Sequence, residues 1–249
     1  MSQTMRSRNE ETAPKRRGGL REKAFQTLKE SILGGDLHRG ERLSEARLMR
    51  DFGIGRTPLR EALNRLEREG LVVSQPNSGY SVANLDVDAV CELLVVREGL
   101  DAMAAEIATE TATDAELEAL AGVMAEIDAL DRIHDRTPDV YARELELGLK
   151  VHEVILAATH NAALIEITRR VYDQLRLGLW IEVRWIDQWT MAVAEHRAIV
   201  EAMLDRDAPR AMQAARAHVR SSQRNMQVIR DVSSFRRNTG TRLPVQNDD

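Results

Sequence analysis

Arg56, Arg60 and Asn64 stand four residues apart, so on a helix they stack into one stripe. Leu59, Ala62, Leu63 and Leu66 recur beside it at i, i+3, i+4 and i+7 and make an apolar face. Pro58 belongs in a first helical turn, where its missing N–H costs nothing, and Gly70 suits the residue that follows a helix end. A short helix that buries one side and points guanidinium and amide groups outward has the chemistry to read a DNA groove. Arg56 and Arg60, near its N-terminal end, offer paired donors for guanine O6 and N7, and Asn64 follows one turn on. Thr57 and the backbone N–H groups of the first turn suit a phosphate. Arg65 and Arg68 lie off the stripe and read as a solvated face.

The elements that must hold this helix are legible on either side of it. Ala24, Phe25, Leu28 and Ile32 share one face of a helix from about Leu20 to Leu33, stopped by Gly34-Gly35. The stretch Asp36 to Arg42 reads as a turn. Ser44 suits the cap of a second helix, Glu45 to Phe52, and Gly53 turns the chain into the Arg-bearing helix. Leu71 to Ser74 and Tyr80 to Ala83, joined by Gln75-Pro76-Asn77-Ser78-Gly79, read as a β-hairpin. Three small helices and a hairpin make a winged helix-turn-helix: the second helix crosses the DNA backbone, the third enters the major groove and the wing reaches a neighbouring groove or phosphates. Arg47 and the wing-tip residues Asn77, Ser78 and Gly79 are expected to hold the DNA backbone in register.

After Asn84 the composition shifts. Between Asp86 and about Ile229 no convincing strand appears, and amphipathic patterns mark six helices, about 86–109, 113–132, 138–158, 161–182, 188–205 and 207–230. Asp114, Asn161 and Asp207 are the expected caps. The expectation is a mainly α protein, with a winged helix-turn-helix DNA-binding domain over residues 20–84 and an all-α six-helix bundle over 86–230. The polar stretches 1–19 and 231–249 are expected to be disordered tails. A length of 249 residues with 43% apolar content supports two such domains. Charge is divided unevenly: residues 1–84 carry 16 Lys and Arg against 11 Asp and Glu, and the remainder carries 19 against 29. A basic unit fused to an acidic one fits a nucleic-acid-binding module with a second function attached. One cysteine, Cys91, excludes an internal disulfide framework and a Cys-based zinc cluster and reads as core. There is no run of about 18 apolar residues and no apolar leader, so no membrane association is expected and the localisation is expected to be cytoplasmic.

Gly40-Glu41-Arg42-Leu43-Ser44-Glu45, Phe52-Gly53, Arg56-Thr57-Pro58-Leu59-Arg60-Glu61-Ala62-Leu63, Leu66-Glu67-Arg68-Glu69-Gly70-Leu71-Val72 and Asn77-Ser78-Gly79-Tyr80 arrive in order. In these motifs residues 25–83 resemble the winged-helix domain of the GntR family of bacterial transcription regulators. Two departures stand out: Ala46 where the family usually has Arg, and Gly55 where it has Ser or Thr.

The helical remainder carries Arg97-Glu98-Gly99-Leu100-Asp101 with Ala104-Ala105, Val151-His152 with Asn161 downstream, Glu195-His196-Arg197-Ala198-Ile199, and His218. It resembles the FCD effector domain of the FadR subfamily, and six helices rather than seven point to the VanR-like branch. The resemblance implies a divalent metal held inside the bundle by one Asp and three His, the latter matching His152, His196 and His218. Gly148 stands where the Asp belongs, one turn before His152, and neither Glu144 nor Glu146 is an obvious substitute. By their neighbours alone these histidines read equally as core imidazoles, with Leu149, Ile155 and Leu156 around His152 and Ala192, Ile199 and Val200 around His196. Three neutral nitrogens suit a zinc or nickel-like ion and suit magnesium poorly. The resemblance also implies a small carboxylate effector in the same cavity, with Arg97 against its carboxylate; an ion pair of Arg97 with Asp101 is the competing reading. Trp180, Trp185 and Trp189 read as core or dimer packing.

The expected function is therefore a homodimeric, ligand-responsive transcription regulator, by family analogy a repressor, on a palindromic double-stranded operator. Two other readings compete. Gly148 leaves room for a dimeric DNA-binding regulator whose helical domain has lost metal and effector. Three His on a metal also suit a hydrolase that activates water. No His-Glu-x-x-His spacing, nucleophile motif or phosphate-binding Gly loop supports an enzyme, and none is expected.

Overall fold

The computed structural model describes residues 13–75, 79–133, 137–178 and 189–239. α1 (Ala13–Leu33), β1 (Arg42–Leu43), α2 (Glu45–Phe52), α3 (Arg56–Arg68), β2 (Val72–Gln75) and β3 (Gly79–Val82) belong to a first compact unit. α4 (Val87–Thr111), α5 (Asp114–Asp131), α6 (Pro138–Ala157), α7 (Ala162–Arg176), α8 (Trp189–Leu204) and α9 (Ala208–Thr239) make a second. The division falls between Asn84 and Leu85. Among the described residues no helix is long and apolar enough to cross a membrane.

In the first unit the apolar stripe of α3 is buried as its spacing dictates: Leu59, Ala62, Leu63 and Leu66 are all inaccessible. They pack toward α1, which contributes Phe25, Leu28 and Ile32, and toward α2, which contributes Leu48. Burial of each large side chain of this set is worth about 1.5–3 kcal/mol. Ser44 caps α2 by accepting from the Arg47 N–H, and Gly53 closes it in the left-handed region at φ 64°. α3 ends in a Schellman motif, with Leu71 N–H donating to the Leu66 carbonyl and Gly70 N–H to that of Glu67. Gly70 takes φ 74° there, a conformation a side chain would strain. The sheet runs β1-β3-β2, all antiparallel, with Arg42 opposite Ser81 and Gln75 opposite Gly79. β1 is a difference from the sequence reading, which had Arg42 in a turn; two residues are too few to show a period.

In the second unit α4 is the central strut, in contact with α6, α7, α8 and α9. Such a helix must be buried on several sides, and Val90, Leu94, Arg97, Asp101, Ala102, Ala104, Ala105, Ala108 and Thr109 are. The small residues let neighbouring helices approach closely. Gly178 shows how closely: a Cβ built on it lies 2.4 Å from Val90 Cγ2. Gly178→Ala is therefore expected to cost about 1–3 kcal/mol by overpacking, read as a lower urea midpoint with an unchanged slope.

The sequence and the structure differ at several ends. α1 begins at Ala13, inside the stretch expected to be disordered. Pro14 is tolerated in a first turn, and the Lys-Arg-Arg that follows favours helix enough to carry it through Gly18-Gly19. α9 runs to Thr239 rather than ending near 230, because no Gly or Pro interrupts the chain from Arg210 to Thr239. α5 is capped by Thr113 rather than Asp114, in a reciprocal box with Glu116. Asn161 caps α7 through the Leu164 N–H, and Asp207 accepts from the Arg210 N–H at the start of α9. α7 ends at Arg176 with a turn at Leu177-Gly178, before the expected 182.

Candidate functional site

The α3 stripe projects from the first unit as its spacing requires, with Arg56, Thr57, Arg60 and Asn64 exposed. Gly55 precedes the helix in extended conformation and gives no side-chain cap. The first-turn N–H groups are thus left for an outside acceptor, the arrangement that takes a phosphate at a helix N-terminus. Arg60 donates through Nε to both carboxylate oxygens of Glu45 on α2, at 3.0 and 3.1 Å. That contact steadies the guanidinium and leaves its terminal nitrogens for a base edge. Asn64 Oδ1 accepts from the Tyr80 hydroxyl at 2.6 Å, tying α3 to β3. Arg47 is held by Glu41 and lies 3.9 Å from Asp51. Gly79 is exposed with φ 81° opposite Gln75, while Asn77 and Ser78 lie outside the described residues.

The second unit brings together three side chains far apart in sequence. His152 on α6, His196 on α8 and His218 on α9 are 4%, 3% and 6% exposed. One nitrogen of each lies within 4.8 Å of the others. His152 Nε2 and His196 Nε2 are 3.2 Å apart, and the ring centroids are separated by 4.4–5.2 Å. Two carboxylates orient the rings from behind. His152 Nδ1 donates to Asp101 Oδ2 at 3.1 Å, and His218 Nδ1 to Glu195 Oε2 at 2.9 Å. Each bond fixes the proton on Nδ1 and turns the Nε2 lone pair toward the other rings.

Asp101 is the hub of a wider buried network. Its Oδ2 also accepts from Arg97 Nε at 3.0 Å, and its Oδ1 accepts from the Tyr172 hydroxyl at 2.7 Å. Burial alone would raise the Asp101 carboxyl, but the Arg97 guanidinium, then His152 and the Tyr172 hydroxyl, outweigh it and hold the group well below the usual carboxylate range. Burial lowers His152, with Arg97 adding to it. Burial also pushes His196 and His218 well below the ordinary imidazole range, and the neighbouring rings push the same way. At neutral pH all three rings are uncharged, the form that binds metal ions.

These residues fit a divalent ion on their own chemistry. Tetrahedral zinc with bonds of about 2.0–2.1 Å separates two nitrogens by about 3.3 Å, close to the 3.2 Å between His152 and His196. Carboxylate-backed imidazoles are also the usual outer support of such ions. Glu144 is buried but is not part of the three-nitrogen group.

The profile for bacterial regulatory proteins of the gntR family matches residues 20–82, and that for the FCD domain matches residues 92–221. The chain belongs to the GntR family, with an FCD domain as its second unit. This regulator is 29% identical to YdhC, an uncharacterized HTH-type transcriptional regulator of Bacillus subtilis (strain 168), over 78% of this chain and 85% of that one. It is also 29% identical to the Nta operon transcriptional regulator of Aminobacter aminovorans, over 67% and 75% of the two chains. The solved structure of E. coli McbR/YncC shares the fold, with a TM-score of 0.70 at 19% identity, covering 84% of this chain and 97% of that one. The regulator is a ligand-responsive DNA-binding protein, and the family it matches is one of bacterial regulatory proteins.

For the regulator's site residues, the helix stripe at 56–64 and the trio His152, His196 and His218 sit together in space as groups. Arg97 is 3% exposed and paired with Asp101, which is the arrangement that competed with an effector contact. Trp189 is in the core, whereas Trp180 and Trp185 lie outside the described residues. Three contributors went unassigned in the sequence. Asp101 was visible as a partner for Arg97 at i+4, but its bond to His152 was not. Glu195 adjoins His196 in sequence yet serves His218, and Tyr172 reaches Asp101 across 71 residues, so no local pattern signals either.

Proposed function

We propose that this regulator senses a small carboxylate through a divalent metal held by His152, His196 and His218, and acts as a repressor. The observation that carries the reading is the convergence of three neutral, buried imidazoles, two of them backed by carboxylates at 3.1 and 2.9 Å. A bound ion would act as a Lewis acid toward a carboxylate oxygen. The chain's own residues set up the rest: Asp101 and Glu195 fix two tautomers, and Tyr172 and Arg97 hold Asp101. A zinc or nickel-like ion suits three nitrogens better than magnesium does. The repressor reading is supported by 25% identity to the HTH-type transcriptional repressor GlaR of Escherichia coli (strain K12), over 78% of this chain and 90% of that one. The six helices among the described residues of the second unit support the VanR-like branch.

On the DNA side the proposal is a homodimer on a palindromic operator. Arg56, Arg60 and Asn64 would face base edges, while Thr57, Arg47 and the wing residues Asn77, Ser78 and Gly79 would hold the backbone. A ligand in the helical unit would shift the balance between conformers that suit two half-sites and those that do not. The test is zinc and nickel retention by the purified protein after loading and desalting. About one ion per chain is expected in the wild type, and His196→Ala is expected to retain at least tenfold less. Equal retention by both would refute the metal site and favour a regulator whose helical unit is only structural.

A further inference from the structure

We infer that Gly148 hands the fourth position of the metal site to a carboxylate from outside the protein, so that this chain binds metal and carboxylate as a linked pair. The inference rests on the three-His metal reading above. Gly148 lies one helical turn before His152 on α6, and a Cβ built on it meets one atom within 4 Å, His196 Cε1 at 3.4 Å. A side chain at 148 would thus start against the His196 ring, beside the trio, and the glycine leaves that space to something else.

Among the described residues no carboxylate joins the three nitrogens. Asp101 and Glu195 contact the Nδ1 atoms of His152 and His218, behind the rings, and cannot turn inward without abandoning them. Charge gives the vacated space its preference. Asp101 is already paired with Arg97, and Glu195 stands behind His218 as the second carboxylate, so a divalent ion on three neutral imidazoles keeps a net positive charge in a buried site. An uncompensated buried charge is costly, and an anionic fourth ligand removes most of the cost. Three-ligand zinc sites characteristically keep one position for water or substrate.

A second observation points the same way. His196 Nδ1 is buried and has no hydrogen-bond partner. It is bonded to Cε1, the atom that faces Gly148, so the orphaned nitrogen borders the same space. With Nε2 directed at an ion, Nδ1 carries the proton and needs an acceptor.

Linkage makes the effect reciprocal: whatever factor the carboxylate adds to metal affinity, the metal adds to carboxylate affinity. The test is zinc affinity, measured by competition with a chromophoric chelator, in acetate and in perchlorate at equal ionic strength. Wild-type protein is expected to bind zinc several-fold tighter in acetate. Gly148→Asp, which supplies the anion internally, is expected to bind at least tenfold tighter in perchlorate and to gain nothing from acetate. Zinc bound by the wild type with equal affinity in both salts overturns the inference and leaves the metal site standing, even if the variant fails to fold. A folded Gly148→Asp that binds no tighter also overturns it. Zinc bound by neither protein removes the metal reading itself, and the inference with it.

Discussion

Arg60→Ala is expected to abolish sequence-specific DNA binding while leaving the protein folded. A guanidinium that takes guanine O6 and N7 together is worth about 1–3 kcal/mol of discrimination. In the proposed homodimer it counts twice, so the loss is about 30-fold to 10⁴-fold in affinity for the specific duplex. The fold is indifferent because Arg60 is exposed and its pair with Glu45 is a surface contact between α2 and α3, worth at most about 1 kcal/mol. The check is fluorescence anisotropy on a duplex that the wild type selects from a random library. Weak binding to unrelated DNA should survive, since phosphate contacts remain. Arg68→Ala, off the stripe, should change neither. Unaltered specific affinity in Arg60→Ala would remove α3 as the reading helix.

α3 was legible because its signals are local. Pro58, the i, i+3, i+4, i+7 leucines and Gly70 all act within one turn of where they stand, and the buried set on α3 is the set that their spacing implies. The six described helices of the second unit were legible for the same reason. Caps and ends were less so: Thr113 displaced Asp114 because its reciprocal bond with Glu116 satisfies two donors at once, and α1 ran back to Ala13 through two glycines. The metal-site candidates were reached through a family pattern, not through chemistry visible in one stretch. His152 has the look of a core histidine until α4 sets Asp101 behind it. Nothing near Tyr172 in sequence announces a partner 71 residues away, since that bond exists only once α7 packs on α4.

Asp101→Asn is expected to be the most damaging conservative change in the second unit. Asp101 is 3% exposed and accepts from Arg97, His152 and Tyr172 together. The amide keeps the shape but removes the charge, so the buried Arg97 loses its carboxylate contact with Asp101, at a cost of about 3–5 kcal/mol. Metal-free protein should show this as a lower urea midpoint. Replacing both partners, Arg97→Met with Asp101→Leu, should recover only part of the stability, because the apolar pair removes the buried ion pair but leaves the His152 N–H and the Tyr172 hydroxyl without their acceptor. Zinc affinity should fall about 10- to 100-fold in Asp101→Asn, since His152 loses the anion that sets its tautomer. A stability loss below about 1 kcal/mol, or zinc affinity unchanged, would mean that Asp101 is not the hub.

Sensing and reading meet in one measurement. The affinity of the full chain for its selected duplex is titrated with zinc-loaded and chelator-stripped protein, each against a panel of small mono- and dicarboxylates. A site that governs the reading head predicts that at least one carboxylate shifts the affinity of zinc-loaded protein fivefold or more, and that stripping the zinc or substituting His196→Ala removes the shift. No shift with any carboxylate, or the same shift in His196→Ala, would contradict it.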